Sequence, residues 1–251
     1  MSIKDFFHSI FHREKPVKVN LRYPVSWEEM TDQQFREVCN ILSLPGIGRE
    51  RALFLCLCRL AGIHPDNPAK YNPKKIKGLQ PFIIDGKTYT LTARDVAAAC
   101  EDLAYIYDSV GLAPAPFDKI DRMLYGVSFE AFYTADSFIG RAVAENNEKY
   151  LKEAAKYLTS GRIRKLLPWQ KKGLVIWWNG VKHWMMGKYP HVLKEGGSVT
   201  DRTQAEILQD LLSCMNGNRP QENEKILKTD VHSVLYSLNK IYENADKRVL
   251  K

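Results

Sequence analysis

No stretch of this sequence is apolar for long enough to span a bilayer. The most apolar one, residues 168–190, is broken by Lys182 and His183, whereas a spanning helix needs about 20 mostly apolar residues. The N-terminal residues MSIKDFFHSIFHREK are interrupted by acids and bases, which argues against a secretory signal. Cysteine is sparse and odd in number: Cys39, Cys56, Cys58, Cys100 and Cys214. Each lies in a segment that reads as helix, so the expectation is buried, reduced thiols in a reducing compartment rather than a disulfide framework. Cys56 and Cys58 are one residue apart, too close for a metal knuckle. The glycines make no nucleotide loop. The stretch from Gly46 to Arg51 lacks the third glycine of a dinucleotide fingerprint, and Gly196-Gly197-Ser198 is not followed by Lys-Ser/Thr. The six histidines do not combine with cysteines or carboxylates at ligand spacing. His8 and His12 are one turn apart but lack the intervening Glu of a zinc helix. No nucleophile, base and orienting acid can be chosen without arbitrariness, so no catalytic, cofactor or metal residue is assigned and the protein is expected not to be an enzyme. There is no internal repeat and no low-complexity tract.

What is present is a helical alphabet. An apolar fraction of 45% in 251 residues is enough for a real core. Residues 168–190 carry four of the five tryptophans. Leu174, Trp177, Trp178, Val181 and Met185 recur at helical spacing, and Val175, Ile176 and Trp184 widen the apolar surface almost around the helix. A helix apolar on most sides is a central one. Pro168 suits its first turn, and Gly187 with Pro190 its end.

The remaining elements follow in order. Residues 2–14 read as an amphipathic helix with Phe6, Phe7, Ile10 and Phe11 on its apolar face. Few cations flank it, so the face is expected to dock on protein rather than on a membrane. Residues 17–23 alternate as a half-buried strand. Ser26 begins a capped helical turn. Thr31 caps a helix to Leu42, and a second helix runs from about Arg49 to Ala61. The proline- and lysine-rich residues 63–79 read as a linker. Asp85-Gly86 between β-prone runs predicts a hairpin near 81–92, and Thr92 caps a helix with Val96, Ala99, Cys100, Leu103 and Tyr107 inward. Ser128 caps an aromatic helix carrying Phe129, Phe132, Tyr133 and Ile139; another spans about 147–158. After the central helix, Ala205, Leu208, Leu211, Leu212 and Met215 form the inward face of one helix, stopped at Asn216-Gly217. Val231, Val234, Leu235, Leu238, Ile241 and Tyr242 form that of the last. The fold class expected is mainly α, a helical bundle-like body with a small β element made of the N-terminal strand and the hairpin. The domain expectation is an N-terminal helix at 1–15 and a single domain at 16–251, with a candidate sub-boundary near 63–80.

Charge is unevenly laid out. Residues 1–80 carry +5, residues 81–145 carry −5 and residues 146–251 carry +8, for a total of +8. Such a layout favours an anionic partner or copies of the same chain. Two stretches give this substance. Residues 44–53, LPGIGRERAL, resemble the helix-hairpin-helix DNA-binding motif, with Gly46, Ile47, Gly48 and Ala52 on its characteristic places. The resemblance implies that the turn and the following helix N-terminus face a phosphate, with Arg49 and Arg51 adding charge. The basic run from Lys149 to Lys188, including Arg162, Arg164, Lys165, Lys171 and Lys172 with Trp169 among them, would suit a nucleic acid by phosphate neutralisation and stacking. It would equally suit an acidic protein face.

Four further stretches, residues 23–31, 124–130, 178–183 and 225–232, together resemble proteins of about this length encoded in phage and prophage structural modules. That resemblance implies a non-enzymatic role in tail assembly or virion morphogenesis, such as that of a tail-assembly chaperone. The place of action would be the host cytoplasm during assembly or the virion, and the partners other tail or virion proteins. The alternative expectation is a DNA-binding protein using the glycine turn and the basic face.

Overall fold

A computed structural model describes residues 21–62, 80–84, 87–91, 93–108, 110–163, 165–193 and 204–249. The protein is mainly α. In chain order its elements are α1 (Asp32–Leu42), α2 (Arg49–Leu60), β1 (Gln80–Ile84), β2 (Lys87–Leu91), α3 (Ala93–Asp102) running into a 3-10 turn (Leu103–Tyr107), α4 (Phe129–Ala144), α5 (Lys149–Leu158), α6 (Pro168–Lys188), α7 (Gln204–Asn216), α8 (Asn223–Lys228) and α9 (Val231–Val249). The chain divides into two compact units. One comprises Met1–Ser26 and Leu44–Ile106, the other Trp27–Ser43 and Tyr107–Lys251.

In the first unit, α2 buries Ala52, Leu53, Phe54, Cys56, Leu57, Cys58 and Leu60 and packs on α3. The expected hairpin is present as β1 paired antiparallel with β2, Gln80 opposite Leu91 and Phe82 opposite Tyr89. Asp85, Gly86 and Thr92 lie outside the described residues. The Tyr23 hydroxyl donates to Asp102 at 2.8 Å and that of Tyr105 to the Pro24 carbonyl at 2.9 Å, tying residues 23–24 to the α3 region. Burial, chiefly, and the Asp102 carboxylate push the Tyr23 hydroxyl up to about 12. Burial also pushes the Cys56 and Cys58 thiols up to about 12 and Cys100 to about 11, as fits structural rather than nucleophilic cysteines.

The second unit is built on α6. All five residues of the sequence-predicted stripe, Leu174, Trp177, Trp178, Val181 and Met185, are buried, and Val175, Ile176 and Trp184 are half-buried. Helix α1 packs against it, held at its start by a reciprocal box. The Gln34 amide donates to Thr31 Oγ1, and the Thr31 amide donates to Gln34 Oε1, satisfying two otherwise orphaned donors. Ser128 caps α4 by accepting from the Ala131 amide at 3.2 Å, and α4 packs on α5 and α9. The extended residues 111–116 run against α6 where it carries glycine. A Cβ on Gly180 would strike the Gly111 carbonyl oxygen and lie 3.2 Å from Leu112 Cα. One on Gly173 would lie 3.3 Å from Pro116 Cβ. The two glycines are two turns apart, on one face, and let that segment approach the helix backbone.

Several expectations are corrected or fall outside the description. The N-terminal helix with Phe6, Phe7, Ile10 and Phe11, residues 17–20 of the first expected strand, and the linker at 63–79 lie outside the described residues; residues 21–23 form no strand. Residues 25–29 make bends and a turn rather than a helical turn, because Trp27 leaves the local chain to bury itself. It is 1% exposed, with its indole donating to the Asp108 carbonyl at 3.1 Å. Tyr107, expected inward, is 41% exposed, since α3 tightens into the 3-10 turn and shifts the phase of its stripe. Ala205 is exposed and only Leu212 of its expected face is fully buried. Ile241 is 39% exposed.

Candidate functional site

Residues 27–31, 124–130, 178–183 and 225–232, all in the second unit, include several framework contacts. Trp27 packs edge-on to Phe35 at 5.8 Å, and Glu28 accepts from the Leu112 amide at 2.6 Å. The Trp178 indole donates to Asp136 at 2.9 Å, and Lys182 pairs with the same carboxylate at 2.9 Å. Residues 124–130 and 225–232 meet each other. Ser128 and Asp230 form an antiparallel bridge. The Phe129 amide donates to the Thr229 carbonyl and the Val231 amide to the Val127 carbonyl. Asp230 accepts from the Gly126 amide at 2.7 Å and from the His232 amide at 2.9 Å.

His232 completes this clasp. Its Nε2 faces the Met123 carbonyl at 2.8 Å and its Nδ1 faces the Tyr189 hydroxyl at 2.9 Å. A carbonyl only accepts, so Nε2 carries the proton and Nδ1 accepts from Tyr189. The ring lies against Tyr125, tilted by 34° with centroids 4.2 Å apart. Burial and the nearby Lys188 hold His232 below its ordinary 6.5; the Met123 carbonyl, Asp230 and Asp121 oppose this without reversing it. Below pH 6.5 the unfolded chain therefore binds a proton that the folded chain resists. Stability from this group is complete above 6.5 and declines as pH falls towards the lower folded value. His232→Gln retains a donor and an acceptor but does not titrate. Thermal melts at pH 7 and pH 5 are expected to show a smaller acid-induced fall in midpoint for His232→Gln than for wild type. An identical fall would remove His232 from the acid response.

Gly46 adopts φ +66°, Gly48 caps α2, and Gly46, Gly48, Arg49 and Arg51 are exposed while Ala52 is buried. The turn begins at the boundary between the two units. The basic run is more divided. Lys156 pairs with Glu153 and Lys171 with Glu148. Lys188 donates to the Tyr125 hydroxyl at 2.7 Å and lies over the Trp184 ring. Arg162, Lys165 and Lys172 are exposed, and Arg164 lies outside the described residues. The turn belongs to the first unit and the basic run to the second, so the residues of the DNA reading are not assembled within one unit.

Sequence reasoning missed a groove. Within the second unit, α1, residues 114–131 and residues 157–170 enclose about 1840 Å³, well beyond the roughly 300–1,000 Å³ of small-molecule pockets. Phe35, Pro114, Pro116, Phe117, Ile163 and Trp169 give it apolar walls. Tyr125, Tyr157 and Leu167 also line it and are 49%, 45% and 44% exposed. Two of those rings are fixed from behind, Tyr125 on His232 at 4.2 Å and Tyr157 on Phe138 at 6.0 Å. Arg36 lies over the Trp169 ring at 5.2 Å, and the buried Trp169 indole N–H has no hydrogen-bond partner among the described residues. The lining carries Asp32, Glu37, Asp118, Asp121 and Glu130 against Arg36, Lys119, Arg122 and Arg162.

Among the described residues no three His, Cys, Asp or Glu side chains converge as a metal site, and no helix is long and apolar enough to cross a membrane. Compared with protein-family models, curated proteins and solved structures, the chain matches none.

Proposed function

We propose that this protein is a non-enzymatic phage or prophage tail-assembly or virion structural protein that acts in the host cytoplasm through protein–protein contacts, with the groove of the second unit as the surface that holds its partner. The groove carries this reading. It is too large for a typical metabolite, it presents Tyr, Trp and Arg, the side chains that dominate protein interfaces, and two of its exposed rings are already immobilised, so a partner orders little on binding. Its lining mixes five acids with four bases, so it is not the uniformly basic surface that a phosphate backbone selects.

The experiment mixes the purified protein with each protein of a tail structural module in turn and weighs the products by light scattering after gel filtration. A stoichiometric complex is expected with one of them, weakened at least tenfold in Trp169→Ala. No complex with any tail or virion protein would overturn the reading.

A second reading, DNA binding, is favoured by the left-handed Gly46 and the exposed Arg49 and Arg51 at the start of α2. It expects tight binding to labelled duplex DNA at low salt that weakens steeply as salt rises and falls in Gly46→Ala and Arg49→Ala. Absence of binding at low salt would remove it.

A further inference from the structure

We infer that Lys188 and His232 share one aromatic cage that holds a single charge, so that protonating His232 releases Lys188 from the cage at the end of α6. Lys188 is exposed, yet its ammonium does not stand free in water. It lies 4.7 Å from the centre of the Trp184 ring, 5.0 Å from that of Tyr125 and 5.5 Å from that of Tyr189, within the roughly 6 Å at which a ring face attracts a cation. Its Nζ also donates to the Tyr125 hydroxyl at 2.7 Å. His232 lies against the same three rings, with centroids 4.2 Å from Tyr125, 5.7 Å from Trp184 and 5.9 Å from Tyr189. At neutral pH only Lys188 is charged, because burial, first, and Lys188 itself hold His232 below 6.5.

Tyr189 couples the two. Its hydroxyl donates to Nδ1 of the neutral imidazole, since Nε2 gives its proton to the Met123 carbonyl, and the charge and hydrogen bonding of Lys188 act on the same hydroxyl. An imidazolium donates from both nitrogens. Tyr189 then has to accept from Nδ1 and turn its own proton away from the His232 ring, beside an ammonium that repels it. Two like charges at close range in a partly desolvated site disfavour each other. The titratable and charged groups facing His232 are Lys188 and the Tyr189 phenol at the end of α6, Asp121 and the Tyr125 phenol before α4, and Asp230 at the start of α9. Both carboxylates are fixed by backbone amides, Asp121 by those of Met123 and Tyr125 and Asp230 by those of Gly126 and His232. Lys188 is the exposed member, and water is there to receive it. Tyr125 also lines the groove, so the release frees a ring of that wall, whatever the groove holds.

The test is nuclear magnetic resonance on the full chain with isotope-labelled histidine and lysine, titrated between about pH 7.5 and pH 5. The His232 and Lys188 signals are assigned through their proximity to the Tyr125 ring. With its stem among three rings, the Lys188 ε-methylene is expected to resonate upfield of exposed lysines at the alkaline end. On acidification it is expected to move to their position, with the same midpoint as the His232 imidazole. In His232→Gln it is expected to stay upfield throughout. Coupling between two sites is reciprocal, so Lys188→Met should raise the His232 midpoint by about half a pH unit. Lys188→Met changes an exposed position, so this second measurement stands even where His232→Gln fails to fold. A Lys188 signal unmoved while His232 titrates, a shift that persists in His232→Gln, or a His232 midpoint unchanged in Lys188→Met would each overturn the inference.

Discussion

Gly180→Ala is expected to destabilise the second unit by about 3 kcal/mol or more. Helix propensity points the other way, since alanine is favoured over glycine inside a helix by about 1 kcal/mol. The sign is decided by what the new methyl would meet. Its nearest neighbours are the carbonyl oxygen and carbon of Gly111 and the Cα of Leu112, all backbone. A flexible side chain could swing aside; a backbone segment cannot without carrying its neighbours along. Residues 111–112 are pinned by the Leu112 amide on Glu28 and by Gly111 against Trp27, where a Cβ would lie 2.8 Å from the indole Cδ1. Moving them reopens the contact between α6 and the buried Trp27. At about 2–4 °C per kcal/mol for a chain of this size, the midpoint followed by near-ultraviolet dichroism of the buried tryptophans should fall by roughly 6–12 °C. Gly140→Ala, on α4, is the matched control. Nothing lies within 4 Å of its would-be Cβ, so propensity should act alone and stabilise by about 0.5–1 kcal/mol. A Gly180→Ala protein as stable as wild type would mean that residues 111–112 do not press on α6.

This packing also marks where sequence reading stops. Local devices were legible because they are written within a few residues. The Thr31 cap, the Ser128 cap, the five-residue stripe of α6 and the hairpin all lie at fixed short spacings. Gly180 and Gly111 meet across 69 positions, and neither residue's neighbours in the chain announce the other. Trp169 was visible only as an aromatic within a basic run. Its place on a groove depends on α1 and residues 114–131, which come from elsewhere in the chain. The alternation of proline and small residues at 111–117 was a signal of a sort, since an apolar stretch that cannot be helical has to be buried as extended chain. The short helix α8 and the burial of His232 were not read at all, because six residues carry too little periodicity and a lone histidine too little chemistry. Tyr107 and Ala205 erred in the opposite direction, where a stripe was carried past the point at which the helix changes pitch or loses its cover.

Arg122→Met is expected to cost the second unit about 2–4 kcal/mol while keeping the aliphatic stem in place. The guanidinium donates from Nε to the Ala113 carbonyl at 3.1 Å, from Nη1 to that of Glu28 at 3.3 Å, and from Nη2 to those of Trp27 at 2.9 Å and Leu112. Its own carbonyl accepts from the Trp177 indole at 2.8 Å. One side chain therefore joins residues 27–28 to residues 112–113, and its backbone joins both to α6. Burial lowers the Arg122 pKa, with Glu28 and Asp32 opposing, but arginine remains charged throughout the range in which proteins fold. Each bond to it is thus charge-assisted and stronger than a neutral one. Removing the head leaves several carbonyls without a donor at once, which is the costly side of the hydrogen-bond asymmetry. Arg122→Lys separates charge from geometry. An ammonium keeps the charge but is a point donor on a flexible stem, unable to span carbonyls on two segments as the planar fork does. Lysine should therefore recover less than half of the loss in denaturant midpoint, and raising the salt concentration should leave the difference between the two variants largely unchanged, because partly buried bonds are weakly screened. Full recovery by lysine would mean that Arg122 acts through its charge, and that residues 27–28 and 112–113 are held together by something other than the fork.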